Sequence, residues 1–267
     1  MNQILTKEME EHTYAIMNRV EDSHWWFVGR RAILESFMER IILSFESRLQ
    51  AESSQELPKG ETQNSIRVLD VGCGTGANLE MLANFGEAEG VDISDEALDF
   101  CRAKNLKVHK GLAEKLPFED ESFDIVTALD VVEHLDDDIS GLTEMHRVLR
   151  KGGKSLIFVP AFMWLWGVQD DISNHRIRYT KKQIVERLEK AGIKVERATY
   201  ANFTFFVPVL VGRTLMKLTG IKPESENNIN VSALNGLFGK IFSAEKYWLS
   251  RLNFPFGVSI VIVAEKT

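Results

Sequence analysis

Apolar residues follow two alternating spacings along most of the chain. From Ile66 onward, short apolar runs typical of buried strands alternate with segments whose apolar residues recur every three or four positions, as on a helix face. The predicted strands are 66–71, 88–92, 106–109, 123–128, 154–160, 193–199 and 257–264, and the predicted helices are 76–85, 94–104, 137–150 and 180–191. This alternation predicts an α/β fold with a doubly wound, seven-stranded, mainly parallel sheet.

The regions around this alternation divide the chain further. Residues 30–49 carry apolar positions at helical spacing, and 1–49 are predicted to form an N-terminal helical segment. A polar linker at 50–65 joins it to a core at 66–200. Residues 201–253 are longer than a crossover requires and are predicted to be a helical insertion or cap that carries substrate specificity. Residues 254–267 return to the sheet as its last strand.

Composition narrows the class of protein only slightly. The 267 residues are 44% hydrophobic and 27% charged, as in ordinary globular proteins, and the net charge of -7 disfavours a broad nucleic-acid surface. Cys73 and Cys101 offer neither a disulfide framework nor metal-ligand spacing, which favours a reducing cytoplasm. The N-terminus lacks the basic start and apolar run of a signal peptide. Pro208 and Arg213 interrupt the apolar stretch 203–218, which favours a core or pocket helix over a membrane anchor.

Three glycines follow the first predicted strand in the sequence VLDVGCGTG. Gly72, Gly74 and Gly76 precede a helix, at a turn where a ligand can lie against the backbone. Their GxGxG spacing differs from the GxGxxG of dinucleotide sites and favours a ligand without a pyrophosphate. Asp92 ends the second strand in GVDIS, where its carboxylate is able to accept hydrogen bonds from both ribose hydroxyls. The alternative is that Asp92 merely precedes the helix cap Ser94.

With these motifs the chain resembles the class I S-adenosylmethionine-dependent methyltransferases. VLDVGCGTG is similar to their first motif and GVDIS to their second, and GLAEKLPFEDESFDIV, LDVVEHLDD and LRKGGKSLIFVP are similar to the stretches around the third to fifth strands. The resemblance covers residues 66–200 and implies a Rossmann-like methyltransferase fold with S-adenosyl-L-methionine as the cofactor. It does not specify the methyl acceptor.

The resemblance also implies residues that hold the cofactor. Asp70 and the glycine loop would line its methionine end, Asp92 would hold the ribose, and Ile93 would flank the adenine. Many relatives have an aspartate where this chain has Leu112, so adenine recognition would shift to backbone groups and to neighbouring side chains. The predicted cofactor-binding residues are Trp26, Arg30, Asp70, Gly72, Cys73, Gly74, Gly76, Asp92, Ile93, Leu112, Ala113, Glu114, Leu129 and Asp130, the last two reaching the methionine amino group or the acceptor.

The terminal segments HWWFVGRR and FPFGVSIVIVAEK resemble those of a bacterial subgroup of this family. The resemblance implies that residues 1–49 form a lid over the cofactor, with Trp25, Trp26 and Phe27 excluding water and Arg30 or Arg31 pairing with the methionine carboxylate. The alternative is that these aromatic residues only pack the helix onto the sheet.

Methyl transfer to a hydroxyl requires that a proton be removed from the acceptor, and histidine is the usual base near neutral pH. His134 follows the fourth strand in VVEHLDDD, and His175 follows the fifth in DDISNHRIRYT, so both are expected at the ligand-binding edge of the sheet. His175 is the preferred catalytic residue, with His134 and nearby Tyr179 as further candidates, whereas His146 is predicted to be structural.

No metal site is predicted. The acidic residues Asp136, Asp137, Asp138, Asp170 and Asp171 are typical of solvated loops or helix starts.

The stretches PAFMWLWGVQDD and NFTFFVPVLVGRTLMKL indicate an acceptor with substantial apolar area, with Trp164, Trp166 and Phe205 bordering it. Most residues of these stretches are expected to pack instead as a cap or a dimer contact.

Methyl transfer to the oxygen or nitrogen of a small molecule is therefore the predicted function. Two alternatives remain: a non-catalytic protein that binds or senses S-adenosylmethionine, and a protein or nucleic-acid methyltransferase. The latter is disfavoured by the acidic net charge and by LDVVEHL standing where amino-group DNA enzymes carry an Asn/Asp-Pro-Pro-Tyr motif. A small-molecule acceptor is the expected partner, nucleic acid is not, and membrane-surface contact and oligomeric state stay open.

Overall fold

A seven-stranded sheet forms the centre of the computed structural model, which describes residues 11–53, 65–220, 232–249 and 251–267. The strands are β1 (Arg67–Val71), β2 (Glu87–Asp92), β3 (Val108–Lys110), β4 (Phe123–Leu129), β5 (Leu149–Pro160), β6 (Ile193–Ala201) and β7 (Ser259–Lys266). Their order is β3-β2-β1-β4-β5-β7-β6, and β7 runs antiparallel to both of its neighbours while the other strands are parallel. The predicted mainly parallel, doubly wound sheet is confirmed.

Helices cover both faces of this sheet. They are α1 (Glu11–Val20), α2 (Trp25–Ser53), α3 (Ala77–Leu82), α4 (Asp95–Ala103), α5 (Asp138–Val148), α6 (Val168–Ile172), α7 (Lys181–Lys190), α8 (Phe206–Thr219), α9 (Ser232–Ala244) and α10 (Lys246–Leu249). One face buries apolar residues of α2, α3 and α9, and the other buries those of α5 and α7. On α2 the buried residues Ile33, Leu34, Phe37, Met38, Ile41 and Phe45 recur at helical spacing, which explains why this helix lies flat on the sheet.

Several element boundaries differ from those predicted. Helix α2 continues to Ser53, so the first residues of the predicted linker 50–65 are helical, and residues 54–64 lie outside the described part of the chain. Strand β3 begins two residues late because Asn105 adopts a left-handed φ of 59° and the Leu106 amide donates to the Cys101 carbonyl, which closes α4. Strand β5 begins at Leu149, which pairs with Phe123 ahead of an irregularity in the register.

Within 201–253 the structure describes α8, α9 and α10, joined to the sheet by non-helical residues at 202–205 and 251–253, and α9 packs against α2. Helix α8 presents an exposed apolar row formed by Val207, Val211, Leu215 and Leu218, in addition to the face that it turns inward. No helix among the described residues is both long and apolar enough to span a membrane.

Candidate cofactor and acceptor site

A single cavity of about 710 Å³ lies at the carboxyl edge of the sheet, within the usual size of small-molecule sites. One end is bounded by the loop after β1 and by residues that follow β2 and β3. The other end is bounded by α8 and α9, and residues of α1 and α2 border the cavity as well. Chain segments that are far apart in sequence therefore share one cavity at the edge where doubly wound sheets bind ligands.

The three glycines of the loop after β1 are required for different reasons. Gly72, Gly74 and Gly76 have left-handed φ values of 68°, 52° and 92°. A β-carbon at Gly72 would lie 2.4 Å from a Val131 methyl, and one at Gly76 would lie 2.6 Å from a Leu106 methyl. At Gly74, which lines the cavity, no described atom lies within 4 Å of that position. Gly72 and Gly76 thus allow tight packing, whereas Gly74 leaves space for a ligand.

Asp92 both supports this loop and borders the cavity. Its Oδ2 accepts a hydrogen bond from the Gly74 amide at 2.9 Å, and its Oδ1 accepts one from the Ser94 amide at 2.9 Å. Ser94 in turn caps α4 by accepting from the Ala97 amide. The two interpretations of Asp92, as a ligand-facing carboxylate and as a residue that precedes a helix cap, are therefore compatible.

Three predicted site residues lie behind the cavity wall. Asp70 is buried, accepts a hydrogen bond from the Thr127 hydroxyl at 2.6 Å, and has its pKa raised to about 7 by burial. Gly76 packs against α4 and Leu106. Tyr179 is fully buried and its hydroxyl donates to Asp138 Oδ2 at 2.8 Å, and burial raises the pKa of its phenol. The structure thus places Asp70 and Gly76 as supports of the cofactor end, and Tyr179 as a packing residue away from the cavity.

The remaining predicted residues are brought together on the cavity wall. They are Trp26, Arg30, Gly72, Cys73, Gly74, Asp92, Ile93, Leu112, Ala113, Glu114, Leu129, Asp130, His134 and His175.

Polar contacts fasten the N-terminal segment over the glycine loop. The Thr75 hydroxyl donates to Glu21 Oε2 at 2.6 Å, and Lys104 approaches the same carboxylate at 3.5 Å. Arg30, predicted to meet a methionine carboxylate, lies 2.7 Å from Asp130 and donates to Asn78 at 3.2 Å. Asp130 itself has a left-handed φ of 60°, an uncommon conformation for a residue with a side chain and one often found at functional sites.

Aromatic residues surround the end of the cavity away from the glycine loop. Trp25 lies 4.7 Å from the Phe205 ring, and both contact Phe238, so these two residues pack onto α9 while they border the cavity. Trp164 and Trp166, by contrast, lie outside the cavity. Trp164 is half exposed and stacks on Phe162, because the segment after β5 turns these side chains outward.

His134 and His175 meet at the wall of the cavity, with ring centroids 4.7 Å apart. Nδ1 of His175 is 2.8 Å from Asp170 Oδ1, and Asp170 also pairs with Arg178 and Arg213. Burial alone would raise the pKa of Asp170, but the His175 hydrogen bond and the two arginine charges outweigh it and lower this pKa. Burial, followed by the charges of His175 and Arg176, lowers the pKa of His134 to about 3, so this imidazole is neutral at pH 7.

Sequence reasoning missed other residues of the wall. Asn202 follows β6, and a rule that searches the carboxyl end of every strand would have found it. Asn78, Met216 and Phe238 lie on helices, and Glu21 lies in the turn between α1 and α2. The place of these elements over the sheet depends on tertiary packing, and no local pattern marks the four as site residues.

Comparison with known proteins gives a consistent picture. The family model described as "Methyltransferase domain" matches residues 69–157. The demethylmenaquinone methyltransferase of Chlorobaculum parvum is 38% identical over 125 residues, covering 45% of this chain and 48% of the relative. The demethylmenaquinone methyltransferase of Staphylococcus epidermidis is 36% identical over 125 residues, covering 42% of this chain and 50% of the relative. The chain thus spans about half the length of the curated relatives it matches.

Solved structures share the fold over nearly the whole chain. A S-adenosylmethionine-dependent methyltransferase from Thermotoga maritima superposes with a TM-score of 0.57 at 19% identity, covering 97% of this chain and 100% of the other. A second match is a chain from the complex between the Haloferax volcanii Trm112 methyltransferase activator and a methyltransferase. It superposes with a TM-score of 0.58 at 19% identity, covering 97% of this chain and 99% of the other. At this level of identity the likeness concerns the fold alone.

The sheet order, the glycine loop and the matched domain define a methyltransferase domain. This domain is of the class I S-adenosylmethionine-dependent type, and S-adenosylmethionine is the cofactor of that type. The cavity fits this cofactor because Gly74 leaves open space beside its backbone and Asp92 presents a carboxylate at the wall.

Proposed function

We propose that the protein methylates the oxygen or nitrogen of a small molecule that has substantial apolar area. The observation that carries this proposal is one cavity with a backbone-lined end at Gly74 and Asp92, an aromatic end at Phe205 and Phe238, and His175 on its wall. Bound S-adenosylmethionine supplies a methyl group activated by its sulfonium. The protein then has to align the acceptor, exclude water and remove a proton.

At the cofactor end, Asp92 is proposed to accept hydrogen bonds from the ribose hydroxyls while it retains its bond from the Gly74 amide. Ile93 and Leu112 are proposed to flank the adenine, and the neighbouring Ala113 and Glu114 border the same region. Arg30 is neutralised by Asp130 at 2.7 Å, so we assign it to fastening the lid. Arg31 also borders the cavity, and its contact with the exposed Asp22 is longer, at 3.3 Å, so it is the proposed partner of a carboxylate.

At the acceptor end, apolar side chains from two helices support an acceptor with apolar area. Val209 and Met216 of α8 and Phe238 of α9 join Phe205 on the wall. The relatives from Chlorobaculum parvum and Staphylococcus epidermidis are named demethylmenaquinone methyltransferases, so we propose demethylmenaquinone as one acceptor to test. The exposed apolar row on α8 lies beside this end of the cavity and is compatible with delivery of such an acceptor.

For the proton, His175 is the better placed of the two histidines. Asp170 holds its Nδ1, which orients the ring and leaves Nε2 available on the other side. His134 is a weak base, because its pKa is lowered to about 3.

Calorimetry with S-adenosylhomocysteine tests the cofactor end. We expect measurable binding to the wild type and at least tenfold weaker binding to Asp92→Ala, because hydrogen bonds to a carboxylate contribute about 1.5 to 3 kcal/mol. Asp99→Ala is the matched control, since Asp99 is exposed on α4 and pairs only with the nearby Arg102 among the described residues. No heat with the wild type, or equal affinity in both variants, would contradict the proposal.

Transfer of label from methyl-labelled S-adenosylmethionine tests the acceptor. Cell material is divided into an organic-solvent extract, an aqueous metabolite fraction, proteins and nucleic acids, and each fraction is incubated separately with the enzyme. We expect label in the organic extract. Label confined to protein or nucleic acid would favour a macromolecular acceptor, and binding without label in any fraction would favour a protein that only binds or senses the cofactor.

A further inference from the structure

Glu133, His134 and His175 converge beside the acceptor end of the cavity. Glu133 and His134 lie in a 3₁₀ turn directly after β4, and His175 lies in the loop that follows α6. We propose that these three side chains form a binding site for a divalent transition-metal cation. This inference rests on the proposed methyl transfer and deepens it, because such a cation would bind the acceptor oxygen.

The spacing of the ligand atoms fits a shared ion. One nitrogen of each histidine and one carboxylate oxygen of Glu133 all lie within 4.8 Å of one another, and His175 Nε2 is 3.9 Å from Glu133 Oε1. Ligand atoms at about 2.0 to 2.2 Å from one ion are separated by at most about 4.4 Å. Small side-chain rotations therefore bring all three atoms to coordination distance.

Glu133 lacks the partners that a buried carboxylate needs. Its side chain is fully buried, and among the described residues no donor is within hydrogen-bond distance of either carboxylate oxygen. Its position is nevertheless fixed, since its backbone carbonyl accepts from the Arg176 amide at 2.7 Å. An ionised carboxylate that is buried without partners is costly, and a bound cation would remove that cost.

The surroundings of the histidines are those of metal ligands. A ligating imidazole usually donates its second N–H to a carboxylate or a backbone carbonyl, which fixes the tautomer and the ring orientation. His175 is held in this way by Asp170, whose own carboxylate is anchored by Arg178 and Arg213. The imidazole of His134 packs against the His175 ring, with ring centroids 4.7 Å apart.

Two imidazoles and one carboxylate favour zinc, manganese, iron or cobalt over magnesium or calcium. Three protein ligands leave coordination positions for an oxygen of the acceptor, and His134 and His175 both border the cavity. The cation would lower the pKa of a coordinated hydroxyl, whose proton would pass to water. In that case His175 would serve as a ligand, in place of the role as base proposed for it above. No metal site was predicted from the sequence, because the three ligands come from two segments that are separate in the chain and form no local motif.

Cobalt binding to chelator-treated full-length protein tests this site. We expect one Co²⁺ per chain and a visible absorption band, with at least tenfold weaker affinity in Glu133→Gln and in His175→Ala. His146→Ala is the matched control, because His146 lies on α5 away from the cavity, and it should bind cobalt as the wild type does. His134→Asn is a second ligand variant for use if Glu133→Gln does not fold.

Calorimetry with S-adenosylhomocysteine is carried out on the same samples. Retained cofactor binding with weakened cobalt binding supports the site, since it shows that the variant is folded. No cobalt band in the wild type, or equal cobalt affinity in the wild type and both ligand variants, overturns the inference and leaves the proposed methyl transfer intact. Cobalt binding by a wild type that does not bind S-adenosylhomocysteine would overturn the proposed function instead.

Discussion

The two ends of the cavity are built in different ways. At the cofactor end, consecutive residues of one loop present their backbone, and Asp92 bonds directly to the Gly74 amide of that loop. At the acceptor end, side chains such as Trp25, Phe205 and Phe238 come from segments that are distant in sequence. The first end depends on local backbone conformation, and the second depends on the packing of helices.

This difference explains why a sequence motif identifies the cofactor end whereas none identifies the acceptor end. A loop that needs left-handed glycines at fixed positions has few alternative sequences, so the same pattern marks the same cofactor in many proteins. Side chains on separate helices are replaceable one at a time, so the acceptor end has no compact motif.

Arg30→Ala is expected to have the largest effect, because Arg30 joins the two ends. Its buried side chain pairs with Asp130 and lies over the rings of Trp26 and Phe158, at 5.4 and 5.3 Å. We expect the free energy of unfolding to fall by about 2 to 3 kcal/mol, since Asp130 loses its partner in a buried setting. Urea denaturation measures this change, with Arg40→Ala on the exposed side of α2 as the control. Equal values for the two variants would show that the lid is held by packing alone.

Two glycine variants, one at each end of the cavity, test whether the two ends act separately, and we expect effects of intermediate size. Both Gly74 and Gly212 line the cavity, and at neither would an added β-carbon have a described atom within 4 Å, apart from its own chain neighbours. Gly74→Ala forces a side chain into the left-handed region, at a cost of about 1 to 2 kcal/mol, and narrows the space for the cofactor. We expect about tenfold weaker binding of S-adenosylhomocysteine, as measured by calorimetry.

Gly212→Ala, on α8, should leave cofactor binding unchanged and stabilise the helix by about 0.5 to 1 kcal/mol. Its effect should appear in the KM for the acceptor. If Gly212→Ala weakened the binding of S-adenosylhomocysteine as much as Gly74→Ala does, the two ends would not be separate sites.

Acid is expected to weaken the strands behind the cofactor end by a smaller amount. Burial alone would raise the pKa of Glu89 on β2, but Arg67, Lys107 and His109 outweigh it and lower this pKa to about 2. The stabilisation is present above the unfolded pKa near 4.5 and is lost as the pH falls from about 5 to 2. We expect this loss of stability to be about 1 kcal/mol, because the solvent exposure of Lys107 weakens its ion pair with Glu89.

Glu89→Gln should therefore flatten the acid limb of the stability curve, as followed by urea denaturation between pH 5 and pH 2. Glu87→Gln, at an exposed position of the same strand, is the control. An unchanged acid limb in Glu89→Gln would show that these ion pairs do not contribute to stability.

The sequence by itself determined the sheet and the cofactor. Periodicity located all seven strands. The pattern is plainest in β1, β4 and β7, which are buried along most of their length and therefore read as nearly continuous apolar runs. The glycine loop and Asp92 were recognisable because left-handed backbone and a carboxylate at a strand end require particular residues at adjacent positions. The limits of β3 and α2 were less accurate, since capping and packing decide where such elements end.

Only the tertiary structure decided how the other half of the site is assembled. Tyr179 and His175 are close in the chain, yet Tyr179 packs against Asp138 while His175 meets His134 and Glu133 across the cavity edge. Arg30 faces Asp130 only because α2 crosses the end of β4. Contacts between separate elements depend on how helices are placed on the sheet, and that placement follows from the whole core and from no local pattern.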